Sequence, residues 1–322
     1  MKFIILTFPM IFGFIIDCIL GDPYWLPHPI RAIGSFITSM EKWIRRIIPH
    51  NLRAGGVILA LTTIFFSVSI PLIILFFSYK KNILIGLISE SIMCYYMIAP
   101  KCLKNESIKV YKAIAEKNIE KSRKAVSMIV GRDTENLDKS RIIRATVETV
   151  AENTSDGVTA PLMYIAMFGA VGGFFYKAVN TLDSMIGYTN EKYADIGRFS
   201  AKTDDFLNFV PSRITAVLMI FSAKILGLDS KNALKIWRRD RRNHASPNSA
   251  QTEAVCAGAL GIRLAGDAYY FGKLHKKPFI GDNTRNIENE DIVRVNKLMY
   301  TTSFITLILG VVFRAVVWGV IL

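Results

Sequence analysis

The chain has 322 residues, of which 51% are hydrophobic and only 20% charged, and its mean hydropathy is positive. That is too apolar for an ordinary soluble domain of this size and predicts a membrane protein. The formal net charge of +14 does not point to nucleic acid, because no basic helix or aromatic-interleaved strand accompanies it.

Residues 3–20 are the first run able to cross a bilayer core, which takes about 20 apolar residues as a helix. Lys2 precedes this run as in a secretory leader, but no small-x-small cleavage site follows, and Asp17 before Cys18 does not suit a lipoprotein site. A retained first helix is expected. Next comes GDPYWLPHPIRAIG, with three prolines, His28 and Arg31, which reads as a rigid loop at the membrane surface. His28 could act as an acid or base, or only as a hydrogen-bonding residue.

Two further spans are expected at 54–78 and 83–99, the second shorter and carrying Glu90. The pattern then turns soluble. Ile108, Tyr111, Ile114 and Ala115 form a helical stripe, Asn118 suits an N-cap for a helix to Val130, and Gly131 can end it. A third helix should start near Leu137, with Ile143, Val147 and Val150 at helical spacing, so 104–157 reads as a soluble helical insert. Apolar stretches recur at 158–179 and 210–228, but Lys177, Arg213 and Lys224 lie inside them or at their ends. The last expected span is 302–322.

Long alternating strands are missing, so the expected fold is all-α: a multi-pass integral membrane helical protein, one membrane-embedded domain over 1–322, with cytoplasmic helical loops. Most of the positive excess lies in loops 22–53, 100–157 and 229–298, and positive loops stay inside. The four cysteines form no Cys-x-x-Cys pair and read as small buried hydrophobes.

The polar residues follow a second pattern. In RATVETVAENTSDGVTAPL, from Arg144 to Leu162, the residues Arg144, Glu148, Glu152 and Asp156 are spaced four apart, so a continuing helix would stack them on one face. The helix is expected to end between Asn153 and Gly157, with Glu152, Asn153 and Asp156 at a terminus beside the membrane. One such stripe reads as a solvated face. Similar residues recur, however, at the edges of later apolar segments: Lys177, Asn180, Asp183 and Ser184 in KAVNTLDS, Asp204, Asp205 and Asn208 in DDFLN, and Arg213 in PSR. Ionisable groups near a bilayer are costly unless paired or functional, so three acidic clusters point to one shared site.

Carboxylates and amide oxygens are hard ligands suited to Mg²⁺, which completes its shell with water and substrate phosphates. Glu152, Asp156, Asp183, Asp204, Asp205 and Asn208 are the metal candidates, and Arg144 and Arg213 could clamp phosphate oxygens. HASPNSAQTEAVCAGALGIRLAG, from His244 to Gly266, joins a polar turn to small residues that permit close packing or a near approach of backbone to ligand. Neither a GxxxxGK[ST] loop nor a GxGxxG fingerprint on a strand is present, which argues against P-loop and Rossmann sites.

The blocks GDP…PHPIRAIG, GRDTENLD, RATVETVAENTSDGVTAPL, YKAVNTLDSMIGY, DDFLNFVPSRITA and SPN…GALGIRLAG span nearly the whole chain. In residues and in order the chain resembles the integral-membrane adenosylcobinamide-phosphate synthases of cobalamin biosynthesis, the CobD/CbiB family. The resemblance implies an ATP- and Mg²⁺-dependent ligase of the cell membrane. It would join a propionate carboxylate of adenosylcobyric acid, a corrinoid, to the amine of aminopropanol or aminopropanol phosphate, giving cobinamide or adenosylcobinamide phosphate.

On that resemblance Glu148, Glu152, Asn153, Asp156, Asp183, His28 and His244 are the catalytic candidates. Glu152, Asp156, Asp183, Asp204 and Asp205 would hold Mg-ATP, Arg144, Lys177 and Arg213 would face phosphates, and Asn180, Ser246 and Asn248 complete the binding set. A shared site would put the loop bearing Asp183 and Asp204 on the same side as Asp156. The stretches 158–179 and 210–228 are therefore expected to be re-entrant, or packed without crossing. Two other readings compete: an intramembrane prenyltransferase with Asn180-x-x-Asp183 and Asp205-x-x-Asn208 on a Mg²⁺ diphosphate, and a transporter or scaffold whose basic loops meet lipid headgroups.

Overall fold

The structure is a computed structural model that describes residues 2–321, with side chains from residue 5 to 318. In chain order the first helices are α1 (Lys2–Leu20), α2 (Pro29–Ile47), α3 (Leu52–Lys81), α4 (Ile83–Met97), α5 (Pro100–Ala115), α6 (Ile119–Ser127) and α7 (Lys139–Asn153). A π-helical turn, Thr154–Thr159, leads into α8 (Ala160–Ile186), followed by α9 (Arg198–Leu207), α10 (Phe209–Ile225), α11 (Ser230–Asp240), α12 (Ser249–Leu260) and α13 (Glu290–Ile321). Between α12 and α13 two short antiparallel pairs form: β1 (Leu264–Ala265) with β4 (Phe279–Ile280), and β2 (Ala268–Tyr270) with β3 (Lys273–His275). The fold is all-α in class, as expected.

Local chemistry sets many of the helix starts. Side-chain oxygens of Asn51, Asn82, Asn118, Asp138 and Asp229 accept a backbone N–H in the first turn of α3, α4, α6, α7 and α11, at 2.7–3.1 Å. These donors have no intrahelical partner, so the caps satisfy groups that would otherwise be orphaned.

Among the described residues four helical stretches are long and apolar enough to cross a membrane: Leu52–Lys81, Ile83–Ala115, Lys139–Ile186 and Glu290–Trp318. They contain the expected spans 54–78 and 83–99, and most of 302–322. Ile5–Leu20 is apolar but shorter. The stretch 158–179 lies within Lys139–Ile186. Residues 210–225 meet the length and apolarity test only together with α9, across a 45° bend that is either a broken span or a re-entrant loop. The protein is a multi-pass helical membrane protein.

The residues group into two compact units, each assembled from separated stretches. The first comprises Met1–Ala99, Ala160–Asn208 and Leu307–Leu322. Its core joins Ile37 and Ile44 of α2, Leu59 and Ala60 of α3, and Leu182 and Ile186 of α8, with Ile196. The proline-rich stretch expected as a loop up to Gly34 is helical from Pro29 onward. The reason is local: Pro29 at the first helical position lacks the N–H that would need a partner, and His28 Nδ1 accepts the N–H of Ile30 at 3.2 Å.

Helix α8 is broken at Gly169, where φ is 68° and ψ is −164°. Backbone groups freed by the break need partners, since no water is available at membrane depth. Ala170 N–H donates to Glu90 Oε1 at 3.4 Å, and Arg314 donates to the carbonyls of Ile165 and Leu6. Tyr79 donates to the second Glu90 oxygen at 2.6 Å. The one acid of the expected span 83–99 thus caps a broken helix.

The second unit comprises Pro100–Thr159 and Phe209–Thr306. Every residue of α12 is buried, polar Gln251, Thr252 and Glu253 included. Gly258 allows α11 to approach, since a Cβ there would stand 2.7 Å from Ala233 Cα. Trp237 Nε1 donates to Gln251 Oε1 at 2.9 Å, which satisfies one of the buried polar groups.

The end expected for α7 between Asn153 and Gly157 is not found, because the chain stays helical through the π turn into α8. Thr154 Oγ1 donates to the Val150 carbonyl and Thr159 Oγ1 to the Thr154 carbonyl, both at 2.8 Å. These hydroxyls satisfy carbonyls where the wider turn disturbs the usual ladder. Glu152, Asn153 and Asp156 therefore lie along a continuous helix and not at a terminus.

Candidate active site

Within the second unit, α7 contributes Glu148 and Glu152 one turn apart. Glu148 is 3% exposed. One of its oxygens is ion-paired with Arg132, and the other accepts the N–H of Ala265 at 2.6 Å. Burial works against the Arg132 charge, yet Glu148 beside it holds the guanidinium pKa above its ordinary value. Ala265 has a φ of 58°, a backbone state that L-residues adopt at a cost, and the carboxylate fixes it there.

Glu152 is half-buried, and its Oε1 accepts from Ser249 Oγ at 2.7 Å. Ser249 opens α12, which also carries Glu253 one turn further on. Glu253 is 5% exposed, and its Oε2 has no hydrogen-bond partner. Burial pushes its carboxyl well above the usual range, and the Glu152 and Glu148 charges push it further. Burial and the two neighbouring charges thus favour the protonated form of Glu253 over the carboxylate.

His244 belongs to the same group. Its Nδ1 accepts the N–H of Ser246 at 3.1 Å, which leaves the remaining ring nitrogen to other chemistry. Burial lowers its pKa, Lys277 adds to the effect, and Glu152 and Glu148 oppose it. The balance keeps the imidazole neutral, the form able to accept a proton.

The loop carrying GRDTENLD closes one side of a cleft of about 670 Å³, lined by Arg132, Arg141, Arg144, Ala265, Asp267 and Tyr269 among others. Asp133 anchors the loop by accepting the N–H groups of Phe271 at 3.1 Å and Gly272 at 2.8 Å. A loop and a β pair distant in sequence are thereby held together around basic side chains.

The other residues expected at the site have identifiable places. Asn153 donates to the Thr149 carbonyl at 3.0 Å, and Asp156 is half-buried in the π turn. Arg213 donates to Asn248 Oδ1 at 3.0 Å and to the Pro247 carbonyl at 3.3 Å, and stacks on Phe209 at 3.6 Å. It pins the Ser246–Asn248 turn, where Ser246 Oγ also accepts the Asn248 N–H at 3.3 Å.

In the first unit, Asp204 is buried and accepts from Asn180 Nδ2 at 3.4 Å and Asn208 Nδ2 at 2.9 Å, while Tyr176 donates to Asn208 Oδ1 at 2.8 Å. KAVNTLDS and DDFLN thus meet, as expected of two of the acidic clusters. Lys177, Asp183 and Asp205 are half-buried. His28 caps α2 through Nδ1, and its Nε2 stands 3.4 Å from Asp22 Oδ1.

Sequence reasoning missed Glu253, Arg132 and Arg263. The signal for Glu253 was a single acid inside a run of small, apolar residues, TEAVCAGAL, where an unpaired charge is costly and calls for a reason. Among the described residues no group of three or more His, Cys, Asp or Glu side chains is arranged to hold a metal ion. A Mg²⁺ that takes one or two carboxylates and fills its shell with water and phosphate needs no such group, and the Glu152 carboxylate, oriented by Ser249, is a donor of the right chemistry.

Residues 10–299 match the family described as CobD/Cbib protein. The chain belongs to the CobD/Cbib family. It is 48% identical to a cobalamin biosynthesis protein CobD of Clostridium perfringens, over 95% of this chain and 98% of that one. A CobD protein of Pelobacter propionicus is 43% identical over 95% and 94% of the two chains, and one of Listeria monocytogenes 43% identical over 92% and 95%. No solved structure matches the chain. In this CobD/Cbib member, Glu148, Glu152, His244 and Glu253 are neighbouring titratable groups, and the GRDTENLD loop borders a cleft lined by arginines.

Proposed function

We propose that this protein acts in cobalamin biosynthesis as an ATP-dependent ligase, joining a propionate carboxylate of adenosylcobyric acid to the amine of aminopropanol phosphate or aminopropanol. The observation that carries the reading is the meeting of Glu148, Glu152, Glu253 and His244 within one unit, beside an arginine-lined cleft. Family membership supports the pathway.

The chemistry asks for such a set. A carboxylate is a poor acyl donor, so its oxygen first takes the terminal phosphoryl group of ATP, releasing ADP. The amine nitrogen then attacks the acyl carbon, the carbon–oxygen bond to phosphate breaks, and one proton leaves the nitrogen. Neutral His244, or Glu152 held by Ser249, would accept that proton. Protonated Glu253 would keep a third negative charge away from Glu148 and Glu152 while the anionic substrates are bound.

Glu152, with Asp156, would hold Mg²⁺, which when bound supplies positive charge to the phosphate oxygens. Asp183, Asp204, Asp205, Asn208, Asn180 and Lys177 form a second proposed metal- and phosphate-binding cluster, within the first unit. We place the protein in the cell membrane with loops 22–53, 100–157 and 229–298 on the cytoplasmic side, following the positive-inside rule. Labelling of single cysteines in these loops only from the outside would refute that orientation.

The reaction is tested by incubating purified, detergent-solubilised protein with adenosylcobyric acid, aminopropanol phosphate or aminopropanol, ATP and Mg²⁺, and following the amide by mass spectrometry. Product that requires all four components is expected. Absence of product with a protein that binds the corrinoid would overturn the ligase reading.

A further inference from the structure

Arg144 and Arg263 lie against the same aromatic ring, their guanidinium carbons 5.9 and 4.1 Å from the centroid of Phe279. Both residues are half-buried, and the Nε atom of each is shut from solvent without a hydrogen-bond partner. Among the described residues neither guanidinium takes part in a hydrogen bond or an ion pair. Other arginines of this unit are matched: Arg132 by Glu148, Arg239 by Asp240 and Asp282, and Arg285 and Arg294 by Asp291.

The acids nearby are committed elsewhere. Glu148 holds Arg132 and the Ala265 N–H, Asp138 caps α7, Asp133 holds Phe271 and Gly272, and Asp267 accepts the Lys277 N–H at 3.1 Å. Glu135 is exposed on the cleft wall. Two like charges brought together half-buried, with Glu148 and Asp138 acting on Arg144 only from a distance while bound to other partners, are an unfavourable arrangement that an anion would relieve. Arg144 also lines the 670 Å³ cleft, together with Arg132 and Arg141, so an anion can reach Arg144, whose charge Arg263 already feels.

We propose that Arg144 and Arg263, both packed against Phe279, form the subsite for a phosphoryl group entering through the GRDTENLD cleft. A phosphate monoester carries close to two negative charges at neutral pH, which matches two guanidinium groups, and each planar guanidinium presents paired N–H donors to its oxygens. The proposal deepens the ligase reading and rests on it for the carrier of the phosphate: the nucleotide or the phosphorylated amino alcohol.

Inorganic pyrophosphate is the probe, titrated calorimetrically into the full-length protein in detergent, wild type against Arg144→Gln, Arg263→Gln and Arg263→Lys. Loss of a charged hydrogen-bonding partner should weaken binding by ~tenfold or more in both Gln variants, with partial recovery in Arg263→Lys. Arg238→Gln, an exposed change on α11, should bind as wild type. Should Arg144→Gln fail to fold, the comparison of Arg263→Lys with Arg263→Gln carries the test.

Steady-state kinetics then separate the carriers. A raised KM for ATP alone identifies the nucleotide, and a raised KM for the phosphorylated amino alcohol alone identifies the amine. Wild-type pyrophosphate binding in both Gln variants, with both KM values unchanged, would overturn the subsite while leaving the ligase reading intact. Lost pyrophosphate binding in variants of a protein that forms no amide would sustain the subsite and remove the ligase reading.

Discussion

Ser249 Oγ donates a 2.7 Å hydrogen bond to Glu152 Oε1 across 97 residues of sequence. The contact ties the start of α12 to α7 and fixes one oxygen of the carboxylate, so the other is directed by structure and not by chance. Hydrogen bonds to charged groups contribute about 1.5–3 kcal/mol. Ser249→Ala should therefore lower kcat by roughly tenfold or more if Glu152 acts in turnover, and Glu152→Gln should abolish it. Unchanged kcat in both variants would remove Glu152 from the mechanism.

Glu253 makes stability depend on pH in a stated direction. Its folded pKa is raised above the ordinary 4.5 by burial and by Glu152 and Glu148, so the folded protein holds a proton that the unfolded chain releases. That contribution is fully present below pH 4.5 and is lost as pH rises toward the folded value. Glu253→Gln removes the dependence. Its stability should gain on wild type as pH rises above about 4.5, by up to about 1.4 kcal/mol per pH unit until the folded pKa is passed, read as a rising difference in thermal midpoint. Parallel curves for the two proteins would show that Glu253 is not held neutral.

His244 works in the other sense. Its pKa is lowered from 6.5 by burial, so its contribution is present above that pH and is lost as pH falls through the folded value. His244→Asn should flatten the stability profile on the acid side of 6.5, read from the same melting series. It should also depress turnover if the imidazole is the base, whereas loss of stability without loss of kcat would leave Glu152 as the base.

The ion pair of Arg132 with Glu148 is largely buried. Breaking such a pair from one side costs about 3–5 kcal/mol, because the remaining charge is left uncompensated. Arg132→Met should lower stability by that order, while Arg132→Met with Glu148→Met should cost less than the sum of the single changes. A strictly additive double-mutant cycle in detergent melts would show that the two side chains do not interact.

Gly169 is the break in α8, and its positive φ is strained for any residue with a Cβ. An added Cβ would also stand 2.7 Å from Glu90 Oε1, the oxygen that accepts from Ala170. Gly169→Ala should cost at least about 1–2 kcal/mol from the backbone alone, seen as a lowered midpoint and reduced yield of folded protein. A variant as stable as wild type would mean that α8 can run straight through this position.

Asp156→Ala and Asp183→Ala test the two units separately. Each is expected to abolish amide formation while the protein still inserts and elutes as a folded species in detergent. Wild-type activity in both would remove these acids from the site.

Much of the architecture was legible because its cause is local. A run of apolar residues long enough to cross a bilayer must satisfy its own backbone, so 54–78 and 83–99 could only be helices, and Asn118 announced α6 through the cap it forms. The motif blocks identified the family for the same reason: they are contiguous. The expected end of α7 failed where several weak effects competed, since Gly157 and Asp156 allow a stop but buried Val158 and the threonine hydroxyls favour continuing the helix.

What the sequence determined by itself was the helical membrane class, the family and the residue types of the site. Which of those residues meet was decided by tertiary structure. The Glu253 carboxyl is pushed toward its protonated form because α12 is buried on all sides beside Glu152 and Glu148, and Arg213 became a strut for the Ser246–Asn248 turn because α10 runs beside it. Arg144 and Arg263 gained their common ring from β4, which pairs with β1 next to Arg263 and lies far along the chain from Arg144. Burial and charge proximity depend on distances through space, and no spacing along the chain encodes them.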